Sequence, residues 1–280
     1  MKLVMFLLIL FFLYSSLQHE KNYLLKKLTC PNLSENERKI TEKSYELLHC
    51  FRNIIRSSYD EVPYKHRNIC FVTYEDRDFP YIKLHDQNLY EFCKLYNYTY
   101  IKKTKYEKGT IYWKKIFLLQ EILNENKYDY VFWLDSDTVI NKKHDTDFFI
   151  SKYGEKDIYV GIDIAPLFAQ NINAGIIGVK NSKIGKQFLL DCVQMYHEQY
   201  PYCIQDGKEQ GGWSGVCYEQ GVLNTVIKTK YKDNAFIDGS NQFIFHRTFS
   251  TQKPKHFLHL AATQNNIRER VFREYVLTQL

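Results

Sequence analysis

The chain has 280 residues, 45% of them hydrophobic, and a net charge of +6, enough for one large α/β domain with a proper core plus accessory segments. The modest charge comes with no Lys/Arg block and no aromatic RNA-binding signature, so nucleic acid is not an expected partner. Seven cysteines form no Cys-x-x-Cys pair and no zinc-like spacing, which argues against a zinc-binding module.

At the amino terminus Leu3–Leu13 is almost continuously apolar and extends weakly to Leu17. Such a stretch is short of the roughly 20 residues a membrane span needs and fits a signal peptide or short signal anchor over residues 1–17. A buried core helix is the alternative. The expectation is membrane association and delivery to the secretory pathway, at the ER/Golgi membrane with a lumenal catalytic domain. Lys21, Lys26 and Lys27 follow the segment while only Lys2 precedes it, a bias that opposes this topology. Residues 18–67 read as a polar stem. Within it Ser34-Glu35-Asn36-Glu37 predicts a capping box, and Ile40, Leu47, Leu48, Phe51, Ile54 and Ile55 form a helical stripe. That helix is expected to pack on the main domain or to self-associate as a homodimer.

From residue 68 onward strand and helix patterns alternate. Asn68–Tyr74, Tyr98–Lys103, Tyr130–Leu134, Asp157–Ile164, Ala174–Val179 and Phe257–Leu260 read as strands. Phe79–Asn97, Ile111–Asn126, Ser182–Gln199 and Tyr218–Lys228 read as helices. This alternation predicts an α/β domain over 68–280 with a Rossmann-like, mostly parallel sheet flanked by helices. No Gly-x-Gly-x-x-Gly follows the first strand, so a dinucleotide dehydrogenase is unsupported.

The most informative stretch is Tyr128–Ile140. Its apolar strand breaks into Asp135-Ser136-Asp137 and resumes as Thr138-Val139-Ile140. Two carboxylates at the end of a buried strand are costly to leave ionised and unpaired. A hard divalent cation, Mg²⁺ or Mn²⁺, is the inexpensive partner, and strand carboxyl ends are where open α/β sheets bind ligands. The implied ligand carries phosphate. A solvated turn is the bland alternative, and Asp145-Thr146-Asp147 repeats the pattern elsewhere.

Five motifs in order make the reading specific: Trp113-Lys114-Lys115-Ile116, Val131–Asp137, Asn173-Ala174-Gly175-Ile176, Glu219-Gln220-Gly221-Val222-Leu223-Asn224 and His256-Phe257-Leu258-His259-Leu260-Ala261. Together they resemble nucleotide-sugar glycosyltransferases of the GT-A fold. The chain is similar to glycosyltransferase family 34, the galactosyl-, mannosyl- and xylosyltransferase group, and shares features with the glycogenin-like family 8. The resemblance implies a retaining enzyme that uses Mn²⁺ or Mg²⁺, a nucleotide-sugar donor and a glycan or glycoprotein acceptor. It implies that Asp135, Asp137 and His259 hold the metal, with Asp135 also on the donor. Lys115, Asn173 and Thr73 are assigned to the donor, and Glu219 and Gln220 to the reacting centre. Both families place a lysine soon after the late histidine; here Thr263-Gln264-Asn265 stands there. A catalytically inactive sugar-binding module is the alternative function.

Between two predicted helices, Pro201–Cys217 carries Gly207, Gly211, Gly212 and Gly215. It is expected to be a loop that closes over the acceptor, with Trp213 stacking on sugar and Cys203 and Cys217 able to pair in an oxidising compartment.

Overall fold

The computed structural model describes residues 34–37, 39, 40, 43, 44, 66–163, 171–206, 208–212, 214–239, 243–246 and 256–278. The chain runs β1 (Ile69–Tyr74), α1 (Pro80–Tyr96), β2 (Thr99–Lys103), α2 (Lys114–Asn124), β3 (Tyr130–Leu134), β4 (Thr138–Ile140) and α3 (Thr146–Tyr153). It continues through β5 (Ile158–Ile162), β6 (Ile172–Lys180), α4 (Lys183–Cys203), β7 (Ile204–Gln205), β8 (Lys208–Glu209) and α5 (Glu219–Lys230). It closes with β9 (Ala235–Asp238), β10 (Ile244–His246), β11 (Phe257–His259) and α6 (Asn265–Thr278).

Six strands form the main sheet in the order β2-β1-β3-β6-β5-β9. β1 runs parallel to β2 and β3, and β5 runs parallel to β9. β6 is antiparallel to both neighbours. The reason is chain length: only residues 163–171 link β5 to β6, too few for the crossover of a dozen or more residues that a parallel pair needs. The predicted mostly parallel α/β sheet is therefore present, with one reversed strand at its centre.

Strand alternation sorts the apolar side chains onto two faces. Val131 and Trp133 of β3 join Cys70 and Val72 of β1 under α2, α4 and α5. Tyr130, Phe132 and Leu134 join Ile69 and Phe71 on the other face, under Leu89, Phe92 and Cys93 of α1 and Phe149 of α3. Gly178 leaves room for the Phe132 ring, which would lie 2.3 Å from any Cβ there. Helix ends follow local chemistry. Pro80 opens α1, and the Ser182 hydroxyl accepts from Gly185 N–H at 2.9 Å to cap α4.

A second sheet, β10-β11-β4, stands beside the first, with β11 antiparallel to β4. Its Val139 and Leu258 pack with Tyr81 and Ile82 of α1 and Val271, Phe272 and Tyr275 of α6. Helix α3 explains the second Asp-x-Asp triplet. Asp145 caps it, accepting from Phe148 N–H at 2.6 Å. Asp147 is fully buried and pairs with the Arg67 guanidinium, which also reaches Glu155. That triplet is structural.

Contacts divide the chain into Met1–His66 and Arg67–Leu280. In the first unit the capping box is formed: Ser34 N–H donates to Glu37 Oε2 at 3.1 Å, and Glu37 N–H to Ser34 Oγ at 3.4 Å. Residues 1–17 and the stripe from Leu47 to Ile55 lie outside the described residues. Among the described residues no helix is long and apolar enough to cross a membrane.

Candidate active site

The site forms where β3 ends. Asp135 leaves the sheet with its N–H donating to Gly175 O at 2.8 Å, and its carbonyl accepts from Thr138 N–H at 2.9 Å. This tight turn projects Asp135 and Asp137 together. The Asp137 carbonyl accepts from Leu260 N–H at 3.0 Å, and the β4–β11 register sets His259 opposite Thr138. Sheet pairing thus delivers a histidine from far downstream to the acidic turn. Its Nε2 lies 3.0 Å from Asp137 Oδ1 and 3.8 Å from Asp135 Oδ2.

One ligand atom from each of Asp135, Asp137 and His259 lies within 4.8 Å of the others. Ligands sharing an octahedral ion at about 2.1 Å sit about 3 Å apart when adjacent and about 4 Å when opposite. Two carboxylate oxygens and an imidazole nitrogen at this spacing fit a divalent cation of the Mn²⁺ or Mg²⁺ type. Gly175 makes the approach possible, since a Cβ there would lie 2.1 Å from the His259 ring. The glycine of Asn173-Ala174-Gly175 is thus space for an imidazole.

Burial alone would raise the Asp137 carboxyl, but the His259 imidazole and the Arg268 guanidinium more than offset it and hold it well below the usual range. His259 is the reciprocal case. Burial would lower it, and the Asp137 and Asp135 carboxylates raise it above its ordinary value.

Lys115, projecting from α2, is buried and makes three contacts: Asp135 Oδ1 at 3.1 Å, Glu219 Oε1 at 3.0 Å and Ala174 O at 3.1 Å. Burial works against its charge, and the two carboxylates prevail, raising its pKa. Trp133 Nε1 also donates to Asp135 Oδ1, at 2.7 Å. Glu219 is buried and its carboxyl is raised by desolvation, with Lys115 pulling the other way. Lys115 therefore links the acidic turn to the start of α5.

Asn173 Oδ1 accepts from Gly175 N–H at 2.8 Å. Gln220 Oε1 accepts from Ala174 N–H at 3.1 Å, which fixes the amide's orientation because a backbone N–H can only donate. Its buried Nε2 has no hydrogen-bond partner among the described residues. Gln220 therefore turns its carbonyl to the backbone of β6, and its N–H groups are the atoms left over. Asn224 completes the clamp on β6, exchanging hydrogen bonds of 2.8 and 3.1 Å with the backbone of Ile172.

Thr73 is turned into the protein interior. It is fully buried, and its hydroxyl donates to Leu134 O and bonds His85 Nε2. The threonine ties β1 to the end of β3. Trp213 lies outside the described residues. Cys203 and Cys217 are joined by a disulfide. The hairpin β7–β8 inside it is tied to the loop before α2 by Thr110–Glu209 and, beyond it, by Trp113 Nε1 donating to Cys217 O at 3.2 Å.

A cleft of about 460 Å³ opens over the acidic turn, lined by Tyr74, Glu75, Arg77, Tyr112, Asp137 and Arg268 among others. Glu75, Arg77 and Arg268 are functional candidates that the sequence motifs do not include. Glu75 is buried, accepts from Arg77 at 2.7 Å through both carboxylate oxygens, and accepts from Ser136 Oγ at 2.5 Å. Burial would raise its carboxyl, and Arg77 and Ser136 bring it below its usual value. Its position just past β1, at a strand's carboxyl end, is a signal that could have found Glu75 and Arg77. Arg268 reaches Asp137 Oδ2 at 2.6 Å from α6, and no local pattern announces it.

A mainly parallel sheet flanked by helices, with an acidic turn at the end of a central strand, matches a GT-A-like fold. Among solved structures the chain is similar to a glycosyltransferase involved in the glycosylation of the major capsid of PBCV-1, with 16% identity, a TM-score of 0.57, and coverage of 74% of this chain and 98% of that one. It is also similar to the glycosyltransferase GlyE of Streptococcus pneumoniae TIGR4, at 17% identity and TM-score 0.45 over 75% of this chain and 60% of that one. No family model and no curated protein matches the chain.

Proposed function

We propose that the chain is a metal-dependent, retaining glycosyltransferase that moves a hexose or pentose from a nucleotide diphosphate sugar, UDP-sugar favoured, to a hydroxyl of a glycan or glycoconjugate. The observation that carries this reading is the Asp135–Asp137–His259 donor set at the edge of a polar cleft. A divalent cation held there would offset the negative charge gathering on the leaving nucleoside diphosphate. Lys115 and Trp133 hold Asp135 in place for that task. Gln220 Nε2, buried and without a partner among the described residues, suits a hydroxyl of the transferred sugar, since an unpaired buried donor is costly unless a ligand takes it. Glu219 acts on the site through Lys115. Ile111 and Tyr112, both about half exposed, line the cleft beside the disulfide-bounded segment, and this side of the site is assigned to the acceptor. The kinship with family 34 or with the glycogenin-like group belongs to this same reading.

The experiment is a panel of nucleotide sugars with Mn²⁺, scored for nucleotide release with and without candidate acceptors. One UDP-sugar should be turned over in a metal-dependent way, and the product should keep the donor's anomeric configuration. Binding of a nucleotide sugar without any turnover would instead support the inactive sugar-binding module, the reading favoured by Thr263-Gln264-Asn265 after the late histidine.

A lumenal location in the secretory pathway is proposed on two grounds: the apolar Leu3–Leu13 and the Cys203–Cys217 disulfide, a bond that persists in oxidising compartments. The catalytic domain should be protected from protease in intact microsomes; complete digestion without detergent would rule this topology out.

A further inference from the structure

We infer that Arg268 is a diphosphate-binding residue that also guards the metal site: it pairs with Asp137 when no metal is bound and transfers to the donor's phosphates when metal takes that carboxylate. The inference rests on the function proposed above.

Arg268 Nη2 lies 2.6 Å from Asp137 Oδ2, while Asp137 Oδ1 faces His259. One carboxylate thus serves both as a member of the metal donor set and as the arginine's counter-ion. Every other hydrogen bond the guanidinium makes is long: Leu260 O at 3.3 Å, Asn265 Oδ1 at 3.3 Å and Tyr81 OH at 3.4 Å. A charge-assisted contact near 2.6 Å is strong and contacts near 3.4 Å are weak, so Asp137 is the strongest tie on the group, which also lies 5.4 Å over the Tyr81 ring. The helix behind it does not need to move. Val271, Phe272 and Tyr275 anchor α6 against Tyr81 and Ile82, and the arginine's long side chain can turn while its Cα stays fixed.

The charge balance sets the direction of the turn. A dication taken up by Asp135 and Asp137 would neutralise the carboxylate that Arg268 now pairs with. It would also set like charges a few ångströms apart in a partly buried site, where repulsion is poorly screened. The guanidinium then needs a new anion, and it lines the same cleft as the acidic turn. A diphosphate brought by the metal supplies pairs of anionic oxygens that the planar fork of a guanidinium can bind two at a time. Arg77 stands on the same cleft, but its guanidinium donates through both Nε and Nη2 to the buried Glu75 carboxylate. Lys115 also pairs with a metal ligand, Asp135, but keeps Glu219 as a second counter-ion; Arg268 is the cation whose one close carboxylate the metal takes.

Two titrations on the full chain test this. Mn²⁺ alone is titrated into wild type, Arg268→Gln and Arg268→Lys; then UDP and GDP are titrated in saturating Mn²⁺. In Arg268→Gln, Mn²⁺ alone should bind about 10-fold tighter because its competitor is gone. The better nucleotide should bind about 10–100-fold weaker, the range for one lost hydrogen bond to a charged group. Arg268→Lys should fall between wild type and Arg268→Gln in both titrations, and it carries the test if the glutamine variant does not fold. Affinities that fall together would make Arg268 a merely structural residue, and unchanged affinities would remove it from the site; either overturns the inference. Wild type that binds neither Mn²⁺ nor nucleotide would overturn the proposed function itself, and the inference with it.

Discussion

Asp137→Asn should abolish metal-dependent nucleotide binding and lower transferase turnover by about 10³-fold or more, since a bound dication supplies several kcal/mol of charge stabilisation in the transition state. Asparagine keeps the size of the side chain and can still bond His259 Nε2, now 3.0 Å from Asp137 Oδ1, so the fold should survive. What is lost is the anionic oxygen, the property a hard cation selects. The check is UDP affinity by calorimetry, with and without Mn²⁺, in wild type and variant. Metal should enhance binding in wild type and leave the variant unaffected. The same substitution at Asp145, in the other Asp-x-Asp triplet, is the control: asparagine caps a helix as well as aspartate does, and Asp145 caps α3. Equal metal enhancement in Asp137→Asn and wild type would refute the metal assignment.

Lys115→Met should be the most damaging single change to stability at the site. Lys115 and Glu219 are both buried, at 6% and 4% exposure, and Asp135 shares the same ammonium. Methionine matches the stem but leaves two carboxylates facing each other without a cation. Breaking a buried pair from one side costs about 3–5 kcal/mol, or a fall in Tm of about 6–20 °C for a domain of this size. Adding Glu219→Gln should recover part of that loss, because the unpaired buried charge is the main penalty. Thermal denaturation of the two variants reads both effects. If Lys115→Met melts within about 2 °C of wild type, the ammonium does not hold the site together.

Those two residues also show how far local sequence reaches. The run Tyr130–Leu134 is apolar at every position and becomes a strand buried at every position. That outcome needs only the preference of aromatic and β-branched side chains for a pleated surface covered on both faces. Asp135 and Asp137 follow at the strand's carboxyl end, and the cost of burying bare carboxylates points to a cation before any coordinate is known. Phe257-Leu258-His259 is the same kind of signal: a short apolar strand that ends on an imidazole. In the stem, Ser34 and Glu37 predict their capping box from spacing alone, and it forms. These features depend on neighbours within a few residues.

What joins them depends on strand register, which no short window encodes. His259 reaches Asp137 because β11 pairs antiparallel with β4 and sets it opposite Thr138. It fits only because position 175 has no Cβ. Thr73 sits on the strand that flanks the site, yet its hydroxyl is turned inward to Leu134 O, a choice made by the packing of α1 and β3 around it. Two identical Asp-x-Asp spacings part company for the same reason: one projects from a sheet end into a cleft, and the other caps a helix and pairs with Arg67. Arg268 is the extreme case. It lies on a helix that follows the last recognisable motif, and only the seating of α6 against α1 brings its guanidinium to the carboxylate. Local chemistry determined which groups this chain could use; long-range pairing decided which of them meet, because an interaction between distant residues exists only once the sheet has set their separation.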